Sequence, residues 1–361
     1  MRFLFLILIT IPLFSQQKLN RFGSDSTLDI MTWNVEHFPK SESTIESIKS
    51  IILDLDIDIV AFQEISDSLK FYELLDQLPE YKGFVKIDYE IGLAYLYKKS
   101  IIEMDSIFQM FNQYEYWNIF PRAPLFMKFR YENENFILIN NHLKCCGDGK
   151  LINSKYDEEN RRLQAMGKLL TYSNQNFSNQ NHIIVGDLND DITDNIEDNV
   201  FIGVINKPNL YRFVDMEIAK GEPEGWSYPS YPSHLDHIII NNTLFDDFNN
   251  FETDVSVIKS EKIFKNNWNE YDSKISDHRP LALKLKLNQK TTYVKTQEQY
   301  TLNNNFLILN NNLRKFKIYN ILGQVVYKSK KNENNIDLSF LNQGIYFLST
   351  NNFIYKICIY K

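Results

Sequence analysis

Apolar residues along the chain fall into short runs, and polar groups gather where the runs end. Leu28 to Val35 alternates well enough to predict a strand, closing in Asn34, Glu36 and His37. Ile45, Ile48, Ile51, Ile52 and Leu55 recur at helical spacing behind Ser41 or Ser43, either of which suits a helix cap. Ile57 to Phe62 predicts a second apolar strand with Gln63-Glu64 at its carboxyl end, and Ser66 opens a helix through about Leu78. Two strand–helix units of this kind predict a layered α/β domain with its site along one strand edge.

The same pattern continues. Gly92 to Tyr97 and Ile101 to Phe111 predict strands. Leu125–Tyr131 and Phe136–Asn141 flank a Glu-Asn-Glu-Asn turn and predict a hairpin. Phe120-Pro121-Arg122-Ala123-Pro124 precedes that hairpin, and Asn141-His142-Leu143-Lys144 follows it. A helix is expected near Asp157–Ser173, with Arg161, Arg162 and Gln164 in its first turns. Ile183-Ile184-Val185 then predicts a buried strand that delivers Asp187 and Asn189 after Gly186. If the strand runs through Leu188, those two side chains share one face. His234-Leu235-Asp236-His237 leads into the strand Ile238–Ile240, and Ser276-Asp277-His278-Arg279-Pro280 leads into Leu281–Leu287. From about Asn288 the composition turns to Gln, Thr, Lys and Asn, as in a linker over 289–300. Short β-rich runs at turn spacing then predict a small antiparallel sandwich over 301–361.

The first residues read as a secretory signal ending at Ser15, a basic start followed by an apolar stretch too short to span a bilayer. Export without membrane embedding follows as the expectation. A formal charge of −7 argues against a basic wrapper of nucleic acid, though not against an enzyme that meets phosphates at a metal-loaded site. Cysteine is scarce. Adjacent Cys145 and Cys146 suggest free or locally bridged thiols, and with Cys358 they make no disulfide scaffold.

Collected, the strand-end groups form a chemical set. Glu64, Asn34 and Asp277 are hard oxygen donors suited to Mg²⁺ or Mn²⁺. His278 beside Asp236 is an imidazole oriented by a carboxylate, and Arg122 can hold a phosphate through its planar fork. No serine or cysteine nucleophile with its own base is evident, nor a glycine-rich nucleotide loop. Metal-assisted attack of water on a phosphoester fits the set. Singly, Glu64 suits a helix cap, Asn34 and Asp236 suit turns, and Arg161 and Arg162 suit a solvated helix face. The joint occurrence argues for chemistry.

Trp33-Asn34, Gln63-Glu64, Gly186-Asp187-Leu188-Asn189, Leu235-Asp236-His237 and Ser276-Asp277-His278-Arg279-Pro280 together resemble the ordered motifs of the endonuclease/exonuclease/phosphatase superfamily. Phe120-Pro121-Arg122-Ala123-Pro124 resembles the arginine loop of its deoxyribonuclease I-like members. The likeness covers roughly 28–288. It implies a four-layer α/β sandwich, two packed mixed sheets between helices. It also implies Asn34, Glu64 and Asp277 around Mg²⁺, with Asp187 and Asn189 at the water and scissile phosphate. His278 with Asp236 would be the base or the phosphate-polarising group, and His142 a candidate acid. Asn320-Ile321-Leu322-Gly323-Gln324 and Gly344-Ile345-Tyr346-Phe347 resemble the type IX secretion sorting domain, which implies that machinery as a partner, passage through the outer membrane, removal of this domain, and release or surface attachment.

The favoured function is a secreted, metal-dependent endonuclease on extracellular DNA, or RNA, acting as a monomer. Arg122, Lys144, Lys150, Lys155, Arg161 and Arg162 would supply a basic rim. A sphingomyelinase-like or inositol-phosphate phosphoesterase is the alternative, although the loop Gln113–Asn118 is a weak membrane-entry hairpin. An inactive surface binding module is the second.

Overall fold

The computed structural model describes residues 18–88, 91–288, 300–303, 306–309, 316–329, 335–350 and 354–359. The expected signal over 1–15 and the linker over 289–299 lie outside them, and Tyr300 already begins a strand. The chain divides into two compact units, one ending at Asn288 and the other beginning at Gln289.

The first unit carries β1 (Leu28–Phe38), β2 (Ile59–Ile65), β3 (Tyr81–Asp88), β4 (Ile91–Lys98), β5 (Glu103–Gln109) and β6 (Leu125–Tyr131). It continues with β7 (Glu134–His142), β8 (Asn181–Asp187), β9 (Tyr211–Phe213), β10 (Asp236–Asn241), β11 (Asp254–Val257) and β12 (Leu281–Leu285). Its principal helices are α1 (Thr44–Leu55), α2 (Ser68–Asp76) and α3 (Glu158–Phe177). The strands form two mixed 6-stranded sheets, ordered β11-β12-β1-β2-β4-β3 and β5-β6-β7-β8-β10-β9. β3 is a strand that the hydrophobic pattern does not announce, because its residues are mostly half-buried.

Alternation decides which side chain goes to which layer. Leu28 and Ile30 of β1 join Ile59, Ala61, Leu138, Ile183, Val185 and Ile238 in the core between the sheets. Met31, Trp33 and Val35 face the other way, onto the apolar stripe of α1. That stripe, Ile45, Ile48, Ile51, Ile52 and Leu55, is buried as its spacing predicts, each such side chain contributing roughly 1.5–3 kcal/mol. α3 covers the outer face of the second sheet through Ala165, Met166, Leu169 and Leu170. The result is helix, sheet, sheet, helix. Buried polar side chains cross the inter-sheet core: Gln63 Nε2 donates to Asn140 Oδ1 (2.7 Å), Asn140 Nδ2 to Phe62 O (2.9 Å), and Tyr95 OH to Leu138 O (3.0 Å).

Cap details differ from expectation. Ser43 occupies the N-cap of α1 without a side-chain cap bond, and α2 starts behind Asp67, which accepts from the N–H groups of Leu69 and Lys70. Among the described residues no helix is long and apolar enough to cross a membrane.

The second unit is all β. It holds a 3-stranded sheet (Tyr300–Asn303, Phe306–Leu309, Asn335–Asp337) and a 4-stranded one (Phe316–Asn320, Val325–Lys328, Gly344–Thr350, Ile354–Ile359). Phe316, Ile318, Ile336, Leu338, Leu348 and Ile357 share its core.

Candidate active site

Strand direction assembles the site. β2 runs parallel to β1 and β12 antiparallel to it, so Asn34, Glu64 and the Asp277-His278 segment before β12 reach one edge. In the second sheet β7 and β8 are parallel and β10 is antiparallel, which brings His142, Asp187 and Asp236 to a corresponding edge. The edges meet. Asn34 Nδ2 donates to Glu64 Oε1 (3.1 Å) and, across the sheets and 153 residues of chain, to Asp187 Oδ2 (2.9 Å).

Backbone irregularity aims these groups. The pairing of β2 with β4 shifts register between Gln63 and Ile65, leaving Glu64 as a bulged residue with φ 63°. Glu36 (φ 33°), His37 (φ 53°) and Asn189 (φ 57°) are also left-handed, conformations that cost about 1–3 kcal/mol each in non-glycine residues and gather at functional sites. Asn189 is therefore delivered by a turn and not by continued strand alternation. β8 ends at Asp187, whose Oδ1 accepts the Asn189 N–H (3.0 Å). Gly186 (φ 142°) is required for packing: a Cβ there would lie 1.9 Å from Asn141 O on β7.

The Asp236–His278 pair is buried and close, with His278 Nδ1–H donating to Asp236 Oδ2 at 2.7 Å. Burial alone would lower the imidazole, but the Asp236 and Asp187 carboxylates outweigh it and push it up to about 10, so the ring is cationic. Its Nε2 stands 3.8 Å from Asp187 Oδ2 and 3.9 Å from Asp277 Oδ1. Ser276 Oγ accepts the His278 N–H (3.0 Å) while donating to Asn34 O (2.7 Å), which fixes the segment against β1. Burial raises Asp187 to about 7 and Asp277 to about 6, and neighbouring carboxylates, among them Asp236, Glu36 and Glu64, push the same way. Such crowding of carboxylates is what a divalent cation relieves. The donors Glu64, Asp277 and the Asn34 carbonyl have the chemistry for one.

Arg122 and His142 form the other wall. Arg122 Nη2 donates to His142 Nε2 (2.8 Å), and burial together with the Arg122 charge keeps the imidazole well below its usual range. The ring is thus neutral, with Nε2 as acceptor, 3.5 Å from Asp187 Oδ2 and 3.8 Å from Glu64 Oε1. Among the described residues, the buried atoms Arg122 Nε, His142 Nδ1 and Asp236 Oδ1 have no hydrogen-bond partner.

Two adjacent arginines separate sharply. Arg161 is half-buried beside Arg122; its Nε donates to Asn118 O and burial lowers its pKa. Arg162, expected as a helix-surface charge and part of the basic rim, is only 2 % exposed. It donates Nε to Asp190 Oδ2 (2.7 Å) and Nη1 to Lys144 O and Cys146 O (2.8 Å each). It is a buried clamp on the turn after His142. Lys150 pairs with Asp198 (2.7 Å). Of the expected rim, Lys155 is exposed, and Arg122, Lys144 and Arg161 are half-buried and bonded within the chain. The loop Gln113–Asn118 folds into a short 3₁₀ turn, Tyr114–Tyr116, tied down through Asn118 to Lys155 O (2.8 Å).

Tyr228 escapes the sequence reading, and Glu36, read only as a polar group at a strand end, falls outside the chemical set. Tyr228 lays its ring 4.8 Å from that of His278, and its hydroxyl is raised by burial and by the nearby Asp277, Glu36 and Asp187 carboxylates. Nothing in the loop around it marks it. Glu36 accepts the Asp277 N–H (2.8 Å) and pairs with Lys40; its place at a strand end was the only signal.

Residues 31–278 match the Endonuclease/Exonuclease/phosphatase family, and residues 296–358 match the Secretion system C-terminal sorting domain. No curated protein matches the sequence. Among solved structures the fold resembles TDP2 of D. rerio complexed with single strand DNA product (TM-score 0.55, 16% identity, 73% of this chain and 100% of that one). It also resembles an AP endonuclease from Archaeoglobus fulgidus (TM-score 0.53, 14% identity, 72% and 100%) and the endonuclease/exonuclease/phosphatase from Bacteroides vulgatus (0.50, 14%, 73% and 99%).

Proposed function

Because the chain belongs to the endonuclease/exonuclease/phosphatase family, we propose that it is an exported phosphodiesterase that uses Mg²⁺ or Mn²⁺ to hydrolyse extracellular DNA. The observation that carries the reading is the meeting of Asn34, Glu64, Asp187, His142, Asp236 and His278 at one point between two sheets. A divalent cation held by Glu64, Asp277 and Asn34 would supply charge against the phosphate oxygens.

The remaining steps belong to side chains of this chain. Asp187, raised to about 7 and fixed by donors from Asn34 and the Asn189 N–H, takes a proton from the attacking water. The His278 cation, kept charged by Asp236, presents Nε2–H to a phosphate oxygen. Asn189, whose Nδ2 now donates to Leu143 O (3.3 Å), and Arg122 orient the phosphate. Neutral His142 receives a hydrogen bond from Arg122 and keeps that fork in place. The role of leaving-group acid, which the resemblance suggests for His142, requires Arg122 to let go of Nε2 first.

Nucleic acid is favoured over lipid by the rim. Tyr114 and Trp117 are exposed and stacked (centroids 6.1 Å apart, 13° between planes), and Lys155 covers the Tyr156 ring at 4.9 Å. Aromatic faces beside cations suit unpaired bases and backbone phosphates. The tethered, amide-rich turn beneath them suits membrane entry poorly. The sorting domain supports export and passage to the cell surface.

The test offers plasmid DNA and sphingomyelin side by side to the purified full chain with Mg²⁺ or Mn²⁺, before and after EDTA. Chelator-sensitive nicking is the expected result. Choline phosphate release without nicking would replace the substrate, and inactivity on both would overturn the DNA reading in favour of a phosphomonoester substrate or a non-enzymatic role.

A further inference from the structure

The mechanism leaves the turn after His142 unused. In extended backbone, neighbouring side chains point to opposite faces, so adjacent cysteines hold their sulfurs apart. Here the chain reverses. Cys146 (φ 72°) and Gly147 (φ 111°) are both left-handed, and the Cys145 and Cys146 Sγ atoms lie 2.9 Å apart on the same side. Cys146 is exposed and Cys145 half-buried.

The turn is gripped from several directions, so the sulfurs are not free to separate by backbone motion. Arg162 takes the carbonyls of Lys144 and Cys146, and Asn189 takes that of Leu143. Glu159 Oε1 accepts the Gly149 N–H (2.8 Å) and lies 2.2 Å from where a Cβ on Gly147 would sit. The sorting domain directs the chain out of the cytoplasm, into compartments where thiols are oxidised.

We propose that Cys145 and Cys146 are joined in the exported protein by a disulfide across their single shared peptide bond. Cys145 is the attacking sulfur, since it accepts from the Cys146 S–H and lies 3.7 Å from Lys144 Nζ. The co-reactant is the disulfide of an envelope thiol oxidoreductase. The Cys145 thiolate attacks one oxidant sulfur, forming a mixed disulfide and releasing the other as a thiolate. Deprotonated Cys146 then attacks Cys145 Sγ, closing the bridge and releasing the second oxidant sulfur. Two protein thiols are oxidised, and one oxidant disulfide is reduced to two thiols. A bridge that closes no loop contributes least to global stability in the chain-entropy account. Its consequence is local: it holds the turn whose carbonyls seat Arg162, Asn189 and, through Leu143 O, Arg122 (3.5 Å).

The experiment uses the protein as its cells export it, purified without reductant and alkylated with iodoacetamide under denaturing conditions. Trypsin cleaves after Lys144 and Lys150, so both cysteines fall in the peptide Cys145–Lys150. The expected peptide lacks two hydrogen atoms and carries no adduct, and takes up two adducts after reduction. Two adducts without reduction, or linkage to the peptide holding Cys358 or to another molecule, would overturn the proposal. Hydrogen exchange tests the consequence. Amides 145–149 should exchange several-fold faster in the Cys145→Ser/Cys146→Ser variant than in the oxidised wild type, with α3 unchanged. Equal rates would overturn the role assigned to the bridge.

Discussion

Two Asp–His assemblies begin one residue apart, at Asp236 and at His237, and differ in what they leave unsatisfied. At the proposed active site Asp236 holds His278 at 2.7 Å; behind it Asp215 holds His237 at 2.6 Å and His234 at 3.1 Å, all three fully buried. Asp215, His234 and His237 place three ligand atoms within 4.8 Å of one another, the spacing of a metal site. Yet each atom is taken. His237 donates from Nδ1 to Asp215 and from Nε2 to Asp190 O (2.9 Å), so it is an imidazolium with no lone pair to give. His234 Nδ1 accepts the Ser227 N–H (3.4 Å), and Asp215 Oδ1 accepts the Ile238 N–H (3.0 Å). The site pair instead leaves Asp236 Oδ1 unpartnered and turns His278 Nε2 toward Asp187 and the part-exposed Asp277. An Asp–His bond is therefore a candidate for chemistry only where further valence faces an open edge. Where every valence is closed it fastens a core.

Substitutions separate the two assemblies. His278→Ala should lower kcat by about 10²–10⁴-fold, the range for a positioned proton-bearing group, with the unfolding midpoint little changed. Steady-state hydrolysis and denaturant unfolding measure both; a tenfold or smaller loss would break the assignment. Asp215→Asn should do the reverse. Removing one partner of a buried ion pair costs about 3–5 kcal/mol of stability, read by urea unfolding, while the folded fraction keeps its kcat.

The pH dependence of stability sharpens the contrast. Burial alone would raise Asp215, but the His237 and His234 rings outweigh it and hold the carboxyl below its usual range. Burial alone would lower His237, but Asp215 raises it. The Asp215 contribution is present above its unfolded pKa of about 3.9 and is lost as pH falls through the depressed folded value. The His237 contribution is full below its unfolded pKa of about 6.5 and is lost as pH rises through the elevated folded value. The stability gap between wild type and Asp215→Asn should therefore be widest between about pH 4 and 6.5. A gap that does not vary with pH would contradict the charge assignment.

A last comparison distinguishes neighbouring arginines, and the smallest effect is expected at Arg161. Arg162→Ala should destabilise, because it strands the Asp190 carboxylate and two carbonyls. Arg161→Ala should raise KM by at most about tenfold, roughly 1.4 kcal/mol, and leave kcat and stability nearly unchanged. The opposite pattern would return Arg162 to the rim.

What the sequence determined by itself is local. Side-chain period placed β1, α1, β2 and the β6–β7 hairpin, and the polar residues ending those runs supplied Asn34, Glu64 and His142 as candidates for chemistry. Period fails where a segment is half-buried on both faces, as in β3, or where a turn replaces a strand, as at Asn189. Tertiary structure alone decided which of two adjacent arginines is buried, which Asp–His pair is closed, and that Tyr228 lies on His278. The physical reason is that burial and hydrogen-bond valence depend on partners far apart in the chain, such as Asn34 with Asp187 or Ser276 with Asn34, 153 and 242 residues away. Local pattern fixes what a residue can do; the atoms that the fold brings against it fix what it does.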